Sequence, residues 1–110
     1  MGTFNFQSLD IYRVAKETAV LVQGSRIRDA ELRDQATRAA KSCFLNLSEG
    51  LPSDLAGVRR RHFAIANGSL GELSAALDLA AALGAIDEVA ARTIDSACER
   101  FAMMLRKLMH

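Results

Sequence analysis

Five residues on one stretch, Gln35, Arg38, Ser42, Asn46 and Glu49, recur at intervals of three or four and carry two amides, a guanidinium, a hydroxyl and a carboxylate. At that spacing they share one face of a helix. Further along, Gly68, Ser69 and Glu72 set small and polar residues inside an apolar run. Glu49 and Glu72 are carboxylates of the kind that serve as acid or base, but such chemistry needs a matched His, Cys or metal-ligand cluster beside them, and neither stretch carries one. The pattern reads instead as a hydrogen-bonded polar seam, inside a helix bundle or between subunits, in which a buried member without a partner costs roughly 1–3 kcal/mol. Arg38 is expected to form a charge-assisted pair there with Glu72 or Glu49. A catalytic or ligand-binding seam is the weaker alternative.

Phosphate contact is the second available chemistry. Arg59, Arg60, Arg61 and His62 form a local positive run, and Arg33 and Lys41 are candidates to join it against RNA or DNA. The plainer reading is a solvated face. Gly68 to Gly71 matches the GxxG of an RNA-clamping loop, yet that motif works between helices with its backbone free, and here it falls within a helical pattern. Cys43 and Cys98 sit on apolar rows without a close-spaced Cys or His, which argues against a zinc site and for buried, reduced thiols. No metal and no cofactor is called for.

Four elements must position these groups. The first helix is expected at about 9–23, with Ser8 as a possible cap and a break at Gly24-Ser25. The second, about 29–49, starts on Asp29, stops at Gly50 and cannot continue past Pro52. A third at about 54–83, capped by Ser53 or Asp54, carries the alternating row Phe63, Ala66, Leu70, Leu73, Leu77 and Ala80 and ends at Gly84. The fourth, about 87–108, starts on Asp87 and carries Ala90, Ile94, Ala97, Phe101, Met104 and Leu108. Short connections make neighbours antiparallel, so the fold class is all-α, an up-down-up-down four-helix bundle forming one domain over 1–110. In its hairpin of second and third helices, the stretch around Gln35 and Arg38 should lie level with Gly68 and Ser69. A mid-helix glycine costs about 1 kcal/mol against alanine, so Gly68 and Gly71 call for the close approach of another backbone.

Composition narrows the rest. The 110 residues are 50% hydrophobic but only 5% aromatic, which suits closely packed helices rich in Ala and Leu. The formal net charge of +1 is far from that of a dedicated nucleic-acid coat. The apolar run from Leu79 to Ile86 is too short to span a bilayer, and the first residues do not read as a charged-then-apolar leader, so no membrane association and a cytoplasmic location are expected.

The patterns QxxRAAxSxxxNxxEG, at Gln35 to Gly50, and IAxGSLxEL, at Ile65 to Leu73, carry a family resemblance, joined by Phe6, Leu9, Tyr12, Ala15, Leu32 and Phe63. Together they resemble the small bacterial four-helix bundle proteins first noticed as open reading frames in intervening sequences of large-subunit ribosomal RNA genes. Cys43 and Leu47 stand where that family tends to have β-branched residues, and the first connection is short and lacks the usual Phe-Pro. The resemblance implies a homo-oligomer, typically a pentameric ring. It also implies a relation to the accessory variability determinant proteins of diversity-generating retroelements, whose basic pentamers bind nucleic acid and a reverse transcriptase. It implies no catalytic residues. The resulting expectation is a non-enzymatic, homo-oligomeric binding or scaffolding module, associated with nucleic acid or, alternatively, with a protein partner alone.

Overall fold

Amphipathic rows of small and branched residues, separated by short polar turns, fold into four helices in the computed structural model, which describes residues 6–109 and their side chains from residue 8. The side chain of Phe6, one of the resemblance residues, lies outside the described residues, as do residues 1–5, which the leader reading concerned. The helices are α1 (Phe6–Gly24), α2 (Ala30–Gly50), α3 (Ala56–Ala82) and α4 (Glu88–Leu108). They pack in the cyclic order α1 on α2, α2 on α3, α3 on α4 and α4 on α1, giving an all-α, up-down-up-down antiparallel bundle. No helix among the described residues is long and apolar enough to cross a membrane.

Helix ends follow local chemistry where side chains can reach them. Asp29 Oδ1 accepts from the Leu32 N–H at 2.9 Å, and Asp87 Oδ2 from the Ala90 N–H at 3.2 Å, satisfying free donors at the starts of α2 and α4. Gly84 sits at φ +67°, the left-handed conformation that lets the Ala85 N–H reach back to Ala80 O at 2.8 Å and close α3. At the same end, Arg28 ties the α1–α2 connection to this turn, through its N–H to Ala85 O at 2.7 Å and its Nη2 to Gly84 O at 2.6 Å.

Three expected ends differ. Ser8 is a buried residue inside α1 and does not stand at the cap position, because the helix already includes Phe6. Neither Ser53 nor Asp54 caps α3; Leu55 holds the cap position without a side-chain bond, and Ser53 Oγ accepts from the Leu55 N–H at 3.2 Å. Gly50 closes α2 without a left-handed turn, since Leu51 follows it in right-handed helical geometry.

The core runs the length of the bundle. Phe63 and Phe101 are fully buried, with Ile11, Leu47, Leu73, Ile94 and Leu105 around them. Burying a side chain of this size contributes about 1.5–3 kcal/mol. On α2 and α3 the buried positions are mostly small, Ala36, Ala39, Ala40 and Cys43 against Ala66, Ser69, Ala76 and Ala80, which draws these two helices close and sets up the seam between them.

Candidate functional site

Close approach of α2 and α3 brings short polar side chains into direct contact. Ser42 Oγ lies 2.7 Å from Ser69 Oγ, a distance two such short groups reach only when their backbones are near. Asn46 Nδ2 donates to Ser42 O at 2.9 Å and to Ser42 Oγ at 3.2 Å. Its Oδ1 is left to accept from His62 Nδ1 at 3.0 Å. The resulting order runs His62 to Asn46 to Ser42 to Ser69, and either hydroxyl of the serine pair can be the donor in the last bond. His62 Nε2 stands 3.8 Å from Glu49 Oε2, an ion pair when the ring is protonated. Cys43 Sγ donates to Ala66 O at 3.5 Å beneath this ladder.

His62 was not legible as a member of the seam. Its position seven residues before Ser69 puts it on the same face of α3 two turns away, and that spacing was the available signal. The run of three arginines before it disguised it as part of a charged patch.

Beyond Ser42 the seam opens. Gln35, Arg38, Glu49, Gly68 and Glu72 are exposed in the subunit, Ser42 and Asn46 are part-buried, and only Ser69 is buried. Gln35, Arg38, Ala39, Ser42, Ser69 and Glu72 line an open groove of about 380 Å³. The expectation that these polar groups are tucked away and satisfied therefore holds for the serine-asparagine stretch and fails for the charged ones. Arg38 pairs with neither Glu72 nor Glu49 among the described residues. Ser42, one turn past Arg38, is the residue opposite Ser69, so the register is displaced by a turn from the expected one. Arg38 and Glu72 then face each other across solvent, where an ion pair contributes about 0–1 kcal/mol at most.

The glycines divide in the opposite way from expectation. A Cβ on Gly50 would lie 2.7 Å from Phe63 Cε1 and 3.2 Å from His62 Cβ, so the close approach is here, at the end of α2. A Cβ on Gly68 or Gly71 would meet nothing within 4 Å in the subunit.

The five cationic candidates do not form one patch. Arg59 turns inward, its Nη1 donating to Leu51 O at 2.7 Å and to Gly50 O at 3.2 Å, with its guanidinium 5.0 Å above the Phe63 ring. It closes the end of α2 in place of a capping residue. Arg60 and Arg61 are exposed beside it. Arg33 stands in the first turns of α2, at the far end of the bundle, and Lys41 is exposed midway along the same helix.

The thiols offer no nucleophile. Burial pushes Cys43 up to about 12 and Cys98 up to about 11, so both stay protonated at neutral pH. Among the described residues no group of three or more His, Cys, Asp or Glu is arranged to hold a metal ion. Across the chain, a protein family described as 23S rRNA-intervening sequence protein matches residues 7–107. No curated protein matches the chain.

Proposed function

The chain belongs to the 23S rRNA-intervening sequence protein family, and from that premise we propose that it works as a non-enzymatic scaffold, self-assembling through the outward face of α3. One observation carries this reading. Besides its core row, α3 bears a second row at the same alternating spacing, Ile65, Gly68, Glu72, Ala75, Leu79 and Ala82, and every member is exposed. Ile65 is 40% exposed, Leu79 49% and the adjoining Leu83 61%, while Glu72 is the one charge on the row. A helix apolar on both sides needs cover on both sides. The bundle covers one.

A second copy of the chain is the occupant that accounts for the glycine. Gly68 lowers helix stability by about 1 kcal/mol and relieves no contact inside the subunit, which is understandable where the backbone of a neighbour must come near. Glu72 on the row and Arg38 beside it, unpaired across their groove, are placed to find partners on that neighbour. The family resemblance supports a closed ring, with five copies as the proposed number. Nothing in the self-paired serine-asparagine ladder or the protonated thiols calls for a reaction.

Light scattering on the eluting protein tests this. The native chain should elute as a multiple of 11.9 kDa, and Gly68→Arg should dissociate it while leaving its helix content intact. A native chain that stays monomeric at high micromolar concentration overturns the proposal.

A further inference from the structure

The near-neutral charge of the sequence conceals an uneven distribution of cations. Arg28 and Arg59 are held by backbone carbonyls, Arg92 by Glu88 and Arg100 by Glu17. On the other flank of α2 from the seam, a groove of about 450 Å³ between the end of α1 and the first half of α2 is lined by Gln23, Arg33, Asp34, Thr37, Arg38 and Lys41. Three cations face one carboxylate there, and none of the four is in an ion pair among the described residues. Arg33 commits one N–H to Ile27 O at 3.1 Å, which steadies the guanidinium and leaves its remaining donors for a ligand.

The spacing is as informative as the charge. Arg33, Thr37 and Lys41 are four residues apart, so they form a row along α2 with a step of about 6 Å. That step is comparable with the separation of neighbouring phosphates along an extended strand. On α1 the Tyr12 ring meets Phe44 at 5.1 Å between centroids, and Lys16 Nζ lies 5.6 Å from the Tyr12 centroid. Because the helices are antiparallel, Lys16, one turn on from Tyr12, comes level with Lys41, three residues back from Phe44. It adds a cation on the neighbouring helix, outside the residues that line the groove.

We infer that the α1–α2 groove seats the phosphodiester backbone of single-stranded nucleic acid, with Arg33, Thr37 and Lys41 against successive phosphates. A single row on one helix follows one strand, and unpaired cations in a groove bind a repeated anion without reading its sequence. Asp34 is the opposing charge and weakens the site. This seat belongs to a single subunit and does not depend on self-assembly; it replaces the arginine run at the start of α3, whose first member is engaged in the turn.

Fluorescence anisotropy with a labelled oligouridylate tests the assignment. The native protein should bind at low salt and lose affinity as salt rises, and Arg33→Ala with Lys41→Ala should reduce the salt slope by about 1.4, that is about 0.7 for each of two contacts. The same double variant should weaken binding at least about tenfold. Asp34→Asn should tighten binding, and Arg60→Ala with Arg61→Ala should leave it unchanged, with circular dichroism confirming that each variant is folded. Absence of binding by the native protein at low salt overturns the inference. So does a result in which the α3 pair, and not the α2 pair, abolishes binding.

Discussion

The hydroxyl oxygens of Ser42 and Ser69 lie 2.7 Å apart across the α2–α3 contact, and the closeness of the two helices is what this bond reports. Ser69→Ala should lower stability by about 1 kcal/mol, because Ser42 keeps its bond from Asn46 but loses its hydroxyl partner across the helix contact. Ser69→Leu should be worse, by roughly 1–3 kcal/mol beyond that, since a branched side chain forces the backbones apart. Urea denaturation of the three proteins orders them, and equal midpoints for Ala and Leu would contradict the close approach.

Two glycine substitutions should act with opposite signs. Gly50→Ala gains helix propensity yet drives a methyl into the Phe63 ring at 2.7 Å, so the midpoint falls. Gly71→Ala meets open space and should raise stability by about 0.5–1 kcal/mol. Thermal melts monitored at 222 nm by circular dichroism give both signs directly.

The three consecutive arginines should separate on stability. Arg59→Ala removes the donor that satisfies Leu51 O and Gly50 O and the cation over Phe63, a loss of about 1–3 kcal/mol. Arg60→Ala and Arg61→Ala should stay within about 0.5 kcal/mol of the native protein. Equal effects from all three in denaturant titrations would remove the capping role.

Alkaline conditions should destabilise the fold through its thiols. Cys43 and Cys98 ordinarily ionise near 9.0, but burial holds them protonated up to about 12 and about 11 in the folded chain. Between those values the unfolded chain has fewer bound protons than the folded one, so stability falls as pH rises, by at most about 1.4 kcal/mol per pH unit for each thiol. Stability measured across pH 8 to 11 should decline less steeply in Cys43→Ala than in the native protein. At pH 8 a thiol-reactive dye should label the native protein far more slowly than the urea-unfolded chain.

The count, order and approximate spans of the helices were readable from residue periodicity, as were the Asp29 and Asp87 caps, because each depends on residues within a few positions of one another. Membership of Ser42, Asn46 and Ser69 in a polar ladder was readable for the same reason: the angle of a side chain on its own helix is a local property. What faces that side chain is not. The register and separation of α2 and α3, set by packed alanines and by Gly50 against Phe63, decided that Ser42 meets Ser69 and that His62 joins the ladder. The same placement left Arg38 and Glu72 in solvent. Tertiary structure likewise withdrew Arg59 from the surface and gathered Arg33, Arg38 and Lys41 beside the end of α1, since contacts between helices follow from rotation and close packing, which no single-helix pattern encodes.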